Sequence, residues 1–218
     1  MLGLIHLLAA AVHHFGVSQR SGLHRLSHPS CTARASFLAD PDQAGISTAT
    51  QLGSKKVFSK MLNLMDAVEA NDLNAVEKLL VSGTNVNEKD PSSRNYPVII
   101  AAFKGHDQIL ERLLEAGADL TVLDPGMEAT ALHAAAYAGR TRAAQLLIQN
   151  GIAVDQKGPF NGYTALHDAV SQGHLDTAKV LVSGGADVNL RNGSGSTALE
   201  MAISRQDTRM EKLLKAAG

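Results

Sequence analysis

A repeat of 34 residues runs through most of this chain of 218 residues. The sequence Thr-Ala-Leu-His occurs at 130–133 and again at 164–167, and Thr-Ala-Leu-Glu follows at 197–200, after a spacing of 33. Two ladders of glycine keep the same period. They are Gly83, Gly117, Gly151 and Gly185 in one ladder, and Gly105, Gly139 and Gly173 in the other. A fixed period of this length indicates a stack of similar units, each burying its apolar surface against its neighbours.

Each repeat has the pattern of two short helices. A threonine at the start, such as Thr130, is typical of a helix N-cap, because its hydroxyl accepts a backbone N–H of the first turn. The small side chains at 134–136 predict that the first helices of neighbouring repeats approach closely. In the second helix, apolar residues within 109–114 recur at i, i+1, i+4 and i+5 and form one face. The glycine that closes each repeat accepts the left-handed conformation that ends a helix.

The motifs identify the family, although the period alone does not, because tetratricopeptide repeats share it. The repeats have a Thr-x-Leu-His start, a short alanine-rich helix, Gly-His at 105–106 and 173–174, and an ending Gly-Ala-Asp-Val-Asn at 185–189. This set resembles the ankyrin repeat and extends from about Met61 to Gly218. The resemblance implies an all-α solenoid of stacked antiparallel helix pairs, joined by projecting β-hairpin-like loops.

We expect two regions in the chain. Residues 1–60 are interpreted as an N-terminal extension or linker and a candidate targeting segment, and residues 61–218 as the ankyrin-repeat domain. The five repeats are expected at 61–93, 94–127, 128–161, 162–194 and 195–218. At three junctions 13 residues separate the closing glycine from the next threonine position, against 12 at the last. The loops there are one residue longer than the family norm, so the shape of their turns stays open.

The first 60 residues leave the destination of the chain open. The apolar start at 1–12 resembles the core of a signal peptide, but no Lys or Arg precedes it. The acid-free stretch that follows also resembles an organelle transit peptide, and a third interpretation places the true start near Met61. A cytoplasmic location is slightly favoured over export or organelle targeting. His24, His28 and Cys31 lack a fourth ligand, so we predict no metal site there.

Charge and motif content favour a protein partner. From Met61 onward, 14 Lys and Arg stand against 19 Asp and Glu, and such a mildly acidic body disfavours nucleic acid. No apolar run reaches the roughly 20 residues of a membrane-spanning helix. No catalytic or phosphate-binding motif occurs in the repeats. We therefore expect a monomer that binds another protein and has no enzymatic activity and no cofactor. The alternatives are a regulatory or inhibitory subunit of an enzyme, and an enzyme with a cryptic site.

His133 and His167 are the residues that most resemble catalytic ones. The ankyrin resemblance implies that this histidine is structural and that its ring bonds backbone between neighbouring repeats. Asp168 directly follows His167, but adjacent side chains on a helix diverge, so we predict no catalytic dyad.

The resemblance also implies where a partner lies, along a concave surface formed by the first helices and the projecting loops. The predicted partner-binding residues are Phe103, Lys104, Met127, Tyr137, Phe160, Tyr163, Gln172 and Arg205. Three of the five aromatic residues of the repeats are on this surface and Phe160 adjoins it, which suits the anchor positions of a protein interface. The other interpretation is that Phe103 and Tyr137 only pack against the helix of a neighbouring repeat.

We expect residues 1–60 to be dispensable for folding, because no repeat ladder extends before Met61. A chain that begins at Ser54 should therefore unfold at nearly the same temperature as the full chain when its helical circular dichroism is followed on heating. A large fall in the unfolding temperature would mean instead that residues such as Val57 and Phe58 cover the first repeat.

Overall fold

Ten short helices make up the regular structure of the part of the chain that the computed structural model describes, residues 63–159 and 161–218. The first helices of the five repeats are α1 (Leu64–Glu69), α3 (Pro97–Lys104), α5 (Ala131–Tyr137), α7 (Ala165–Gln172) and α9 (Ala198–Ser204). The second helices are α2 (Leu73–Val81), α4 (Asp107–Glu115), α6 (Thr141–Gln149), α8 (Leu175–Ser183) and α10 (Thr208–Ala217). The expectations for residues 1–60 and for Phe160 lie outside the described residues.

The helix pairs stack in chain order. Each odd-numbered helix packs against the next odd-numbered helix, and each even-numbered helix packs against the next even-numbered one. Alanine recurs in the odd-numbered helices, where Ala101, Ala102, Ala135, Ala136 and Ala169 are completely buried. Small side chains let these backbones approach closely, as the sequence predicted. The all-α solenoid of stacked helix pairs is therefore confirmed.

The predicted helix boundaries are also confirmed. Thr130 and Thr197 are the N-caps of α5 and α9, and both have extended backbone. The Thr197 hydroxyl accepts a hydrogen bond from the backbone N–H of Glu200 at 3.2 Å, and a Glu200 carboxylate oxygen accepts from Thr197 N–H at 2.8 Å. This reciprocal pair satisfies two backbone donors at the start of the helix. At the other end of the unit, Gly151 has a φ of 82°, which a residue with a Cβ rarely adopts.

The glycine between the two helices of a repeat is required for two reasons. Gly139 has a φ of 67°, in the left-handed region. A Cβ on Gly139 would also lie 2.6 Å from the His174 ring of the next repeat, closer than nonbonded atoms can approach. Gly105 has the same relation to Arg140, whose side chain would be 2.8 Å from an added Cβ. The mid-repeat glycine ladder thus makes room for a side chain of the following repeat.

Leu147 of α6 is completely buried in the core, at the centre of the stack. We expect Leu147→Ala to lower the free energy of unfolding by about 2–5 kcal/mol, because it removes buried methyl groups and leaves a cavity. Chemical denaturation followed by circular dichroism measures this change. Gln149→Ala in the exposed part of the same helix is the control and should change stability by less than about 0.5 kcal/mol. A small effect of Leu147→Ala would show that the core closes around the missing side chain.

Candidate functional site

The predicted partner-binding residues gather at the ends of the odd-numbered helices and in the loops that precede them. We call this the inner surface. Phe103 and Lys104 end α3, Tyr137 ends α5, Gln172 ends α7, and Arg205 follows α9. Tyr163 precedes the N-cap of α7, and Met127 lies in the loop between α4 and α5. Gln172 and Arg205 are exposed, and the other five described residues of the set are half-buried.

The next repeat holds the end of each of two inner helices in place. Arg140 Nε donates to the Phe103 carbonyl oxygen at 3.1 Å, and His174 Nε2 is 3.1 Å from the Tyr137 carbonyl oxygen. These bonds occupy carbonyl groups that lack a partner within their own helix. They also fix the backbone from which the two aromatic side chains extend. Sequence reasoning missed this role, although a polar residue directly after each mid-repeat glycine could have indicated it.

Lys104 makes the equivalent hydrogen bond between the second repeat and the first. Its Nζ donates to the Glu69 carbonyl oxygen at 3.2 Å, the group that corresponds to the carbonyls of Phe103 and Tyr137. His106, at the position of Arg140, has a buried Nε2 without a hydrogen-bond partner among the described residues. Burial lowers the pKa of His106, and the nearby positive charge of Lys104 lowers it further, so its ring is neutral. Lys104 would give up a structural hydrogen bond in order to contact a partner.

His133 is a structural residue, as the ankyrin resemblance implied. Its Nδ1 lies 2.8 Å from the Thr130 hydroxyl and accepts from the Thr130 backbone N–H at 3.4 Å. The proton is therefore on Nε2, which donates to the Tyr163 carbonyl oxygen of the next repeat at 3.1 Å. His167 repeats the contact with Thr164 at 2.9 Å, while its Nε2 has no partner within hydrogen-bond distance among the described residues.

Two loops place the residues that precede the inner helices. Asp124 accepts hydrogen bonds from the backbone N–H groups of Gly126, Met127 and Ala129, at 3.0, 3.1 and 2.8 Å, and so anchors Met127. The next loop has glycine at the position of Asp124 and uses other contacts. Its Asn161 side chain accepts from Tyr163 N–H at 2.9 Å. Sequence reasoning missed this anchoring role of Asp124, which Asp-Pro-Gly at 124–126 could have indicated.

Two contacts hold the segment around Tyr163. The Asn161 carbonyl oxygen accepts from Gly193 N–H at 2.7 Å, which ties the loop to the following one, and His133 bonds the Tyr163 carbonyl. A Cβ on Gly162 would come within 2.7 Å of the Gly193 nitrogen, so this contact between loops needs glycine. The Tyr163 ring lies 5.6 Å from the His167 ring, at an angle of 34°.

Asp168 is a half-buried carboxyl group near both tyrosines of the inner surface. Burial raises the pKa of Asp168 to about 8. Burial also raises the pKa of Tyr137 and of Tyr163, and the charge of Asp168 raises both further. Among the described residues, Asp168 and His167 share no hydrogen bond.

Helix pairs that stack in one direction, with glycine turns and capping residues repeated in register, define a solenoid repeat protein. A sequence model of ankyrin repeats matches the chain in three copies, at residues 64–158, 99–192 and 153–218. These matches together extend over well more than half of the chain, and the chain belongs to the ankyrin-repeat family. Ankyrin repeats generally mediate protein–protein interaction, and the family is typically not enzymatic. A comparison with curated proteins finds no match.

None of the helices in the described residues is long and apolar enough to cross a membrane.

The buried histidines should make stability depend on pH. Burial lowers the pKa of His133 below its value of about 6.5 in an unfolded chain, despite hydrogen bonds that oppose the shift. Neutral His133 therefore stabilises the folded state above that pH, and the contribution is lost as the pH falls through the lowered pKa. Each unit of lowering corresponds to about 1.4 kcal/mol.

We expect the free energy of unfolding of the native chain to fall more steeply between about pH 7 and 5 than that of His133→Gln. Denaturation curves at several pH values measure how the free energy of unfolding of each protein depends on pH. The contributions of the other titrating groups cancel in the difference between the two proteins. Parallel pH profiles for the two proteins would contradict the neutral, buried state of His133.

Proposed function

We propose that the chain binds another protein along the concave side of its repeat stack, through the inner surface, and that it acts without catalysing a reaction. The observation that carries this proposal is the position of the aromatic side chains. Phe103, Tyr137 and Tyr163 are half-buried on one surface, whereas the buried core consists of Ala, Leu, Ile, Val and Met. The core therefore does not need these rings, and partly exposed aromatic residues are frequent anchors of protein interfaces.

The backbone under these side chains supports the proposal. The carbonyl oxygens of Phe103 and Tyr137, at the ends of their helices, are bonded by the next repeat, and the Tyr163 carbonyl oxygen is bonded by His133 of the preceding repeat. Anchors that are already in place lose little conformational freedom on binding. The outer residues Gln172 and Arg205 extend the surface past α7 and α9 with exposed polar groups. They suit the rim of an interface, where polar contacts set specificity more than affinity.

The positions of the histidines support a role without catalysis. The Thr130 hydroxyl lies 2.8 Å from His133 Nδ1, the arrangement of a nucleophile beside a general base. Thr130 is completely buried, however, and His133 is 5% exposed. A substrate cannot reach that hydroxyl. Both ring nitrogens of His133 are committed to hydrogen bonds, Nδ1 with Thr130 of the same repeat and Nε2 with the Tyr163 carbonyl oxygen of the next.

We expect Tyr137→Ala and Tyr163→Ala each to weaken binding of the partner by about 2 kcal/mol or more, because each removes an aromatic anchor. The thermal unfolding midpoint should stay nearly unchanged, because His133 bonds the backbone carbonyl oxygen of Tyr163, which remains when the side chain is removed. The immobilised full chain captures proteins from a lysate of its native cells, and quantitative mass spectrometry compares what each variant retains.

Gln145→Ala, at an exposed position of α6, is the matched control and should retain the same proteins as the native chain. A protein that is retained by the control and lost by both tyrosine variants is the expected result. Tyrosine variants that unfold, or that keep every captured protein, would assign these side chains to the packing between repeats instead.

A further inference from the structure

The first repeat differs from the next two at the residue between its two helices. Asn71 stands there, where the second and third repeats have Gly105 and Gly139. The backbone hydrogen bonds fix this equivalence, because the N–H of Asn71 donates to the carbonyl oxygen three residues earlier at 3.1 Å, as that of Gly139 does at 3.2 Å. Asn71 also has a φ of 56°, in the same left-handed region as the two glycines. The first repeat therefore makes the same turn with a side chain in place of a hydrogen atom.

That side chain occupies space which the glycines leave open. A Cβ on Gly139 would lie 2.6 to 2.8 Å from three atoms of the His174 ring, so the ring reaches the Tyr137 carbonyl oxygen only over a glycine. His106 stands in the second repeat where His174 stands in the fourth. The two have nearly the same backbone angles, with φ of −81° and −85° and ψ of 70° and 78°. A His106 ring placed like that of His174 would overlap the Asn71 Cβ.

Lys104 holds the carbonyl group from which His106 is kept. The Lys104 Nζ donates to the Glu69 carbonyl oxygen at 3.2 Å, while the buried His106 Nε2 has no hydrogen-bond partner among the described residues. A buried polar atom without a partner costs free energy, so His106 would donate to this carbonyl if it could reach it. The junction of the first and second repeats therefore depends on a lysine of the inner surface. At the next two junctions a residue outside that surface makes the bond.

The Lys104 bond is one that a bound protein can take over. The Lys104 side chain is half-buried, and within the described residues it takes part in no ion pair. Its ammonium group donates to a neutral carbonyl, and it would bond more strongly to a carboxylate, because a hydrogen bond between two charged groups is stronger. A carboxylate that reaches the inner surface would therefore draw Lys104 away from the first repeat.

We propose that Lys104 is shared between the repeat stack and the bound protein. A carboxylate of that protein takes the Lys104 ammonium group, and the first repeat loses its bond at the Glu69 carbonyl because Asn71 prevents His106 from replacing it. Binding at Lys104 and the attachment of the first repeat thereby oppose each other. This proposal rests on the proposed function and adds to it an acidic group of the partner.

The first experiment measures whether Lys104 holds the first repeat, and it needs no partner. Amide hydrogen exchange of α1 is followed in the full chain, with Lys104→Met introduced into the native sequence, into Asn71→Gly and into Asn71→Ala. Alanine keeps the Cβ, so Asn71→Ala is the matched control, and circular dichroism verifies that each variant folds. We expect Lys104→Met to speed the exchange of α1 about fivefold in the native and Asn71→Ala backgrounds, because one hydrogen bond is lost. With Asn71→Gly it should have little effect.

NMR of the histidine rings identifies which side chain donates to the Glu69 carbonyl. In Asn71→Gly with Lys104→Met, the Nε2–H signal of His106 should shift downfield toward that of His174, which is bonded at 3.1 Å and serves as the internal standard. The shift should not occur in the Asn71→Ala background. If Lys104→Met has the same effect on hydrogen exchange in all three backgrounds, Asn71 does not decide the donor and the inference is wrong.

The second experiment measures the sharing of Lys104 with a ligand. Short random peptides displayed on phage are selected on the full native chain, and those that bind less tightly to Tyr137→Ala and to Tyr163→Ala are kept. We expect an acidic residue in these peptides whose replacement by its amide weakens binding about tenfold to the native chain but hardly to Lys104→Met. Asn71→Gly should bind the same peptides about fivefold more tightly, because His106 then holds the first repeat and Lys104 is released. Asn71→Ala should not.

The outcomes separate this inference from the proposed function. If the kept peptides need no acidic residue, or if Asn71→Gly does not raise their affinity, the sharing of Lys104 is wrong while binding on the inner surface stands. If no selected peptide depends on Tyr137 or Tyr163, both proposals fail.

Discussion

The contact between the first helices of neighbouring repeats is the constraint on which the rest of the structure depends. A single helix pair is too small to bury a core of its own, so every repeat must complete the apolar surface of the one before it. Ala135 and Ala136 of one repeat and Ala169 of the next are completely buried because their methyl groups allow the helices to approach closely. The same surface has to serve at every junction, and this is why the sequence repeats.

Hydrogen bonds between side chains and backbone fix the relative position of the repeats once the helices are close. His133 joins the start of one inner helix to the segment before the next, and Arg140 and His174 join the ends. The mid-repeat glycines are part of this arrangement, since a Cβ on Gly139 would overlap the His174 ring. The side chains that make these bonds, His133, Arg140 and His174, are distinct from the aromatic side chains of the inner surface, which lets one scaffold present different side chains to different partners.

Asp168 places an ionisable group at a half-buried position of the inner helix α7. A carboxyl group with a raised pKa lowers the stability of the folded state as the pH rises from its unfolded pKa of about 4 toward 8. Residues that oppose folding in this way are expected where a protein binds something. Its charge raises the pKa of Tyr137 and of Tyr163, whose backbone carbonyl groups are bonded by His174 and His133 of neighbouring repeats.

The sequence alone determined the repeat, the helix pairs, the threonine caps, the closing glycines and the structural role of His133. These features follow from a period or from a few neighbouring residues, and both can be read along the chain. Tertiary structure decided which surface residues meet. Lys104 was expected to face a partner, yet its Nζ bonds the Glu69 carbonyl of the preceding repeat. Asp168 stands near Tyr137 only because α7 stacks on α5 in one particular register, and that register depends on packing and loop contacts that no local pattern encodes.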